Sequence, residues 1–282
     1  MSGLQGLSYI VTGGGTGIGA ACATRLAADG AAVAICGRTE AKLTDTIARF
    51  SASDAASGGG SIRALVADVT SEEDVQRLVA FALEATGSLN GVVANAGGGG
   101  SIMPLHLQEL TDFTRVLHLN VIGTFLLVKH TVAHLVAAGG GSFVGMSSIA
   151  GTATHPYFGA YTVSKAGIES LMRNAADEYG ASNVRFNSVR PGFISTEIME
   201  GIPRDSAVFE SYLENTPMHG VGEPEDIADL ARFLLGPESH WITGQAIGVD
   251  GGHSLRRGPD FGSFIEPFLG KDVMLARRPL GG

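Results

Sequence analysis

Short apolar runs alternate with longer amphipathic segments along most of the chain. The apolar runs are rich in aliphatic residues and predict strands at 8–12, 31–37, 62–68, 89–97, 141–148, 183–192 and 244–252. Between the strands, apolar positions recur with helical spacing and predict helices that include 39–50, 71–85, one long helix from about 108 to 138, and 223–236. Apolar strands that alternate with helices indicate a parallel sheet covered by helices on both faces. We therefore expect an α/β fold with a doubly wound parallel sheet of about seven strands in a single domain.

Local signals refine this pattern at a few points. Ser71, followed by acidic residues, is a strong helix start, and Thr39 is a plausible N-cap. Residues 51–61 are small and polar, which predicts a loop. Residues 253–282 break the alternation, and we interpret them as a C-terminal extension after a domain that spans 1–252.

Composition limits the classes of function. Hydrophobic residues make up 44% of the 282 residues and charged residues 17%, so a large core is expected. The net charge of −9 argues against nucleic acid as a partner. We find no secretory signal and no apolar run approaching transmembrane length, and so expect no membrane partner. Cys22 and Cys36 lie among small and aliphatic residues, which favours buried thiols and a reducing cytoplasm.

A glycine-rich segment, T12-G-G-G-T-G-I-G19, follows the first strand and opens the first helix. Glycine permits positive φ and close backbone approach to a pyrophosphate, and the helix N-terminus offers free N–H groups to phosphates. Glycine-rich turns also occur for steric reasons alone. The position between strand and helix favours a dinucleotide site.

Tyr161 and Lys165 stand four residues apart in a segment predicted to be helical, so both side chains lie on one face. A nearby ammonium favours phenolate and lowers the pKa of a tyrosine, which would make an acid/base for use near neutral pH. The alternative is a surface aromatic beside a surface lysine.

These segments together resemble the short-chain dehydrogenase/reductase family. The motifs TGGGTGIG, N95-A-G97, Ser148, Y161-x-x-x-K165 and P191-G-F-I-S-T196 occur in the family's order and rough spacing, and the resemblance covers about 5–252. It implies a single Rossmann-like domain that transfers hydride between a nicotinamide and a carbonyl or alcohol.

The resemblance also implies roles for the candidate catalytic residues Asn120, Ser148, Tyr161 and Lys165. Tyr161 would be the general acid in reduction and the base in oxidation, and Lys165 would lower its pKa and hold the nicotinamide ribose. Ser148 would bind the substrate oxygen, with Ser147 as its rival. Asn120 would kink the long helix and position a water in the proton relay; alternatively it is an ordinary polar helix residue.

The implied cofactor site draws on six parts of the chain. Asp68 and Val69 would contact adenine, Ile194 and Thr196 would receive the carboxamide, and Asn95 would either contact the cofactor or be structural. The complete set is Gly13, Thr16, Gly17, Ile18, Gly19, Arg38, Asp68, Val69, Asn95, Ala96, Gly97, Tyr161, Lys165, Pro191, Gly192, Ile194 and Thr196.

The end of the second strand bears on the choice between NAD and NADP. Gly37 stands where NAD-dependent members carry an acid, and Arg38 follows, which suits a 2′-phosphate. Many NADP-dependent members carry a basic residue at the position before Gly17, but this chain has Thr16 there. We expect NADP to be preferred, with NAD as the alternative.

The segment 197–220 is where the family builds its substrate lid, and its apolar residues favour a sizeable hydrophobic alcohol, ketone or acyl thioester. Two alternatives stay open, an enoyl- or 2,4-dienoyl-CoA reductase and a non-catalytic dinucleotide-sensing protein. His130 and His134 have zinc-like spacing but lack the following glutamate, so we expect no metal.

The family commonly forms tetramers, and a homotetramer or homodimer is expected through 223–236 and 244–250. The extension 253–282 would either cross that interface or pack on its own subunit.

Overall fold

The predicted sheet is present. The structure, a computed structural model, describes residues 3–256, 258 and 261–278. One seven-stranded sheet has all neighbours parallel, in the order β3-β2-β1-β4-β5-β6-β7. The strands are β1 Ser8–Thr12, β2 Ala32–Gly37, β3 Ser61–Val66, β4 Gly91–Ala94, β5 Gly141–Met146, β6 Val184–Pro191 and β7 Ala246–Val249. The doubly wound α/β fold expected from the sequence is confirmed.

Helices follow the strands and cover both faces of the sheet. They are α1 Gly17–Ala28, α2 Glu40–Ser51, α3 Glu72–Thr86, α4 Leu110–Leu117, α5 Gly123–Ala137, α6 Gly159–Tyr179, α7 Ala207–Asn215, α8 Pro224–Leu235, α9 Gly262–Leu269 and α10 Lys271–Met274. One core layer packs α1 and α8 against the sheet, and the other packs α3, α5 and α6. Strand order reverses between β1 and β4, where a doubly wound sheet opens a crevice at the carboxyl ends of its strands.

The long helix expected at 108–138 is interrupted. A π-helical turn, His118–Ile122, separates α4 from α5 and contains the buried Asn120. The whole stretch Leu110–Ala137 is long and apolar enough to span a bilayer, with a mean hydropathy of 1.4 over its most apolar part. That part is 44% buried, and α5 packs against α3, as a core helix does.

Two local expectations had different outcomes. Ser71 caps α3, its hydroxyl accepting a hydrogen bond from the Asp74 amide at 3.3 Å. Thr39 occupies the N-cap position of α2, but its side chain makes no capping hydrogen bond. The predicted loop contains a short 3-10 turn, Asp54–Gly58.

Both cysteines are buried free thiols, as expected. Cys22 lies in α1 and Cys36 in β2, and burial raises the pKa of each thiol to about 12. Neither is a reactive thiolate near neutral pH.

The described part of the C-terminal extension packs on its own chain. Phe261 and Ile265 are 3% and 8% exposed, and Phe261 joins a cluster with Phe193, Val208 and Tyr212. Phe268, one turn further, is 86% exposed. The extension therefore covers the side of the molecule formed by α7 and the segment after β6.

Candidate active site

The glycine-rich turn has the geometry that the sequence suggested. Gly13 and Gly17 have φ of 65° and 48°, values that favour glycine. A Cβ on Gly19 would lie 2.1 Å from the Gly13 carbonyl oxygen, so α1 can approach β1 only with glycine there. The first N–H groups of α1 are thereby presented at the crevice.

Asn95 holds this turn against the end of β4. Its Nδ2 donates to the carbonyl oxygens of Thr12 at 3.0 Å and Gly13 at 3.4 Å. The Thr12 hydroxyl accepts from the amides of Asn95 and Ala96. Asn95 therefore has a structural role, and Thr12 is a supporting residue that sequence reasoning missed.

Most candidate residues line two cavities at the carboxyl edge of the sheet. The first, of about 210 Å³, is lined by Ile18, Asn95, Gly97, Ser148, Tyr161, Lys165, Pro191, Gly192, Ile194 and Thr196, with others. The second, of about 150 Å³, includes Gly13, Arg38, Asp68, Val69, Ala96 and Gly97. Gly97 belongs to both, so the two cavities adjoin.

Four candidates lie apart from these two cavities. Thr16 and Gly17 line a neighbouring groove with Thr196. Gly19 lines no cavity, and its contribution is the close helix–strand contact described above. Asn120 lies behind the cavity wall and is fully buried.

The buried Asn120 side chain ties three segments together. Its Oδ1 accepts from the Gly98 amide at 2.9 Å, and its Nδ2 donates to the Gly98 carbonyl at 2.9 Å and the Ser164 hydroxyl at 2.8 Å. A Cβ on Gly97 would lie 2.9 Å from Asn120 Oδ1. The π turn thus positions the glycine segment after β4 against α6.

Tyr161 and Lys165 lie together in the first turns of α6. Lys165 Nζ is 5.4 Å from the centre of the Tyr161 ring and donates to the Met146 carbonyl at 2.8 Å. Burial lowers the pKa of Lys165 to about 8. The alternative of a surface aromatic beside a surface lysine is excluded, because Lys165 is only 5% exposed.

The expectation that Lys165 lowers the pKa of Tyr161 is wrong for this structure. Burial raises the pKa of Tyr161, and the neighbouring Ser148 hydroxyl has a smaller, opposite effect. The Lys165 ammonium is directed to the Met146 carbonyl and loses much of its own charge near pH 8. Desolvation therefore outweighs attraction.

Ser148, and not Ser147, has its hydroxyl beside Tyr161. The Ser147 hydroxyl donates to the Lys165 carbonyl at 3.1 Å and to Glu169 Oε1 at 2.9 Å. Glu169 is 2% exposed and also pairs with Arg190 through two contacts of 2.6 Å. A buried ion pair thus supports the wall that carries the candidate relay.

Arg38 is exposed at the end of β2, beside the second cavity. A further cation that sequence reasoning missed is Lys42, whose Nζ lies 2.6 Å from Glu197 Oε2. Its Cβ is 3.1 Å from where a Cβ on Gly15 would stand. Lys42 therefore links α2 to the segment after Thr196 beside the glycine-rich turn; its position one turn into the helix after β2 was the available signal.

The histidine pair on α5 has another partner. His130 Nε2 lies 2.7 Å from Glu72 Oε1, which Lys129 also contacts. Over the described ranges no three His, Cys, Asp or Glu side chains are grouped as metal ligands.

Comparison with known proteins assigns the class. A family profile described as "Enoyl-(Acyl carrier protein) reductase" matches residues 13–254. Cis-4-hydroxycyclohexanecarboxylate dehydrogenase of Sinomonas cyclohexanicum is 36% identical over 87% of this chain and 95% of its own. The chain belongs to the short-chain dehydrogenase/reductase family. It is an oxidoreductase of the class that acts on CH–OH groups with NAD(P).

Solved structures agree with this assignment. A short-chain type dehydrogenase/reductase from Mycobacterium ulcerans has a TM-score of 0.94 and 44% identity, covering 97% of this chain and 98% of its own. A 7α-hydroxysteroid dehydrogenase complexed with NADH and 7-oxo glycochenodeoxycholic acid has a TM-score of 0.82 and 32% identity, covering 89% of this chain and 95% of its own.

Proposed function

We propose that this protein interconverts a secondary alcohol and a ketone on a hydrophobic substrate, with Tyr161 as the general acid and base. One observation carries the proposal: the hydroxyls of Tyr161 and Ser148 and the ammonium of Lys165 line one cavity with mostly apolar walls. The Sinomonas relative and the steroid-bound neighbour, by their names, act on or bind ring compounds with oxygen substituents.

When bound, the nicotinamide supplies the hydride acceptor or donor at the substrate carbon. Ser148 holds the substrate oxygen, and Tyr161 exchanges a proton with it. In reduction the phenol is the donor, and its raised pKa keeps it protonated at neutral pH. In oxidation the phenol must first lose its proton, so that the phenolate can accept the proton of the alcohol.

The residues present fit a dinucleotide. Glycine is required at Gly13, Gly17 and Gly97 for the backbone to pack this closely beside the cavities, since a Cβ at each would meet neighbouring protein atoms at 2.9–3.1 Å. The second cavity would hold the adenosine end, and Arg38 beside Gly37 supports a preference for NADP. The structural neighbour with NADH is the reason to test both.

We propose that 197–220 form a lid, that 253–282 are an extension of the 1–252 domain, and that the described part of this extension covers the lid. We also propose a homotetramer, because two separate faces expose large apolar side chains. Ile122, Phe125 and Val136 stand on α5 and the preceding turn, while Phe233 and Trp241, the latter 91% exposed, flank the β7 edge. The buried free thiols support a cytoplasmic location.

An enoyl reductase is the second candidate, favoured by the description of the matching family profile. The test is turnover with NADP and NAD across secondary alcohols, ketones and enoyl thioesters. We expect reduction of NADP by alcohols. Turnover of enoyl thioesters alone would overturn the proposal and support the second candidate.

A further inference from the structure

Two polar side chains line the first cavity but have no part in the proton relay. His155 lies between Ser148 and Tyr161 in sequence, and Tyr212 comes from α7. Both are near-buried, at 6% and 8% exposed. Buried polar groups that face a cavity need a partner, and here the substrate can supply one.

The tautomer of His155 follows from its surroundings. Nδ1 lies 2.9 Å from the Ala153 carbonyl oxygen, which can only accept a hydrogen bond. Nδ1 therefore carries the proton, and Nε2 is an acceptor. Burial lowers the pKa of His155, and the nearby His253 lowers it further, so the ring is neutral near pH 7.

The C-terminal extension holds this ring. A Cβ on Gly258 would lie 3.1 Å from His155 Nδ1 and 2.2 Å from the Thr154 carbonyl oxygen, so the chain passes closely over the ring edge. The centre of the Phe261 ring lies 5.7 Å from that of Phe158. The Phe158 ring in turn stacks on the Tyr161 ring, with 4.7 Å between their centres. The extension thus supports the cavity wall on both sides of His155.

The Tyr212 ring is also held in place, by contacts with two other aromatic rings. It stacks on Phe193 at 4.1 Å with an interplanar angle of 6°, and it meets the His253 ring edge-on at 5.5 Å. No hydrogen bond of its hydroxyl to the described part of the chain is found. Burial and the nearby Tyr161 phenol raise the pKa of Tyr212, so its hydroxyl stays protonated. His155 and Tyr212 therefore line the same cavity, and His253 is a neighbour of both.

We propose that His155 and Tyr212 bind a second hydroxyl of the substrate, remote from the reacting carbon. A hydroxyl donates to Nε2 of His155 and accepts from Tyr212 at once, whereas a carbonyl or ether oxygen can only accept. A carboxylate would face the Nε2 lone pair. The substrate class is therefore a compact diol, or the hydroxy ketone that its oxidation yields. This inference rests on the proposed alcohol dehydrogenase function.

The test compares substrates that differ only in the second hydroxyl. The 1,2-, 1,3- and 1,4-cyclohexanediols are each paired with the methylcyclohexanol of the same substitution, and kcat/KM is measured with the preferred cofactor. For at least one pair, we expect His155→Leu and Tyr212→Phe each to lower the diol-to-methyl ratio about 10-fold, the effect of one lost hydrogen bond of about 1.4 kcal/mol. His155→Gln, which keeps an acceptor, should restore part of the ratio.

A substitution that only disturbs packing would lower both members of a pair alike and leave the ratio unchanged. That result in both variants would overturn the inference while methylcyclohexanol turnover still upheld the proposed function. Failure to oxidise any alcohol, with turnover of enoyl thioesters, would instead contradict the proposed function, and this inference with it.

Discussion

The cofactor preference can be altered at the end of β2 by the double change Gly37→Asp and Arg38→Leu. Gly37 has no positive φ, and a Cβ there would meet only Leu43, at 3.5 Å, so the backbone and the space at this position accept a side chain's Cβ. The introduced carboxylate would occupy the place of the acid that binds ribose hydroxyls in NAD-dependent proteins and would repel a 2′-phosphate. Loss of Arg38 would remove the cationic partner of that phosphate.

The size of the effect follows from charge-assisted hydrogen bonds, which contribute about 1.5–3 kcal/mol, or about 10- to 150-fold in Kd. Arg38 is exposed, so solvent screening weakens its contact with a phosphate, and Arg38→Leu alone should raise the Kd for NADP by about 10-fold, the lower end of this range. The double variant should then favour NAD. Calorimetric Kd values for both cofactors measure this directly.

A matched control is Lys129→Leu, which removes one positive charge from an exposed position on α5 outside both cavities. It should leave the ratio of the two Kd values unchanged. Tighter NAD than NADP binding by the wild type, or equal weakening of both by Arg38→Leu, would refute the reasoning.

Three further predictions concern stability and assembly. The pKa of Lys165 falls from 10.5 to about 8 on folding, so the folded state binds fewer protons between these values and its stability rises with pH there. In urea unfolding, the unfolding free energy of the wild type minus that of Lys165→Met should rise by about 3 kcal/mol from pH 7 to 10.5. A difference that does not change with pH would contradict this. Glu169→Gln should cost about 3 kcal/mol of unfolding free energy by leaving Arg190 without its buried partner, and a loss under 1 kcal/mol would show the pair to be dispensable. In light scattering, Trp241→Glu should dissociate the proposed tetramer, and an unchanged mass would contradict that interface. Phe268→Glu should lower the mass only if the extension crosses the interface.

The sheet was predictable because its strands are short apolar runs between turns, a signal that survives without tertiary information. The ends of the strands were not predictable. The segment predicted as a strand at 89–97 forms one only over Gly91–Ala94. Beyond Ala94 the backbone turns to meet Thr12, a contact between residues distant in sequence. The π turn at Asn120 was foreseen only as a kink, through resemblance, since π and α turns share nearly the same apolar spacing.

The candidate site, like the fold, was predictable from the sequence only in part. Motifs located Tyr161, Ser148 and Lys165, but the sign of the Tyr161 pKa shift depends on burial, which spacing does not encode. His155 and Tyr212 carry no motif, and they line one cavity only because α7 and the extension pack beside it. The apolar character of the extension predicted that it would pack, but left open against which surface.

The most direct test of the account is Tyr161→Phe, which removes one hydroxyl and keeps the ring that stacks on Phe158. With a secondary alcohol that the wild type oxidises, we expect kcat to fall at least about 100-fold while cofactor Kd stays within about threefold. Tyr179→Phe, on the same helix but with its ring tilted against Phe186 away from the cavity, is the control and should retain activity. A kcat for alcohol oxidation by Tyr161→Phe that stays near the wild-type value would contradict the assignment of Tyr161 as the acid and base.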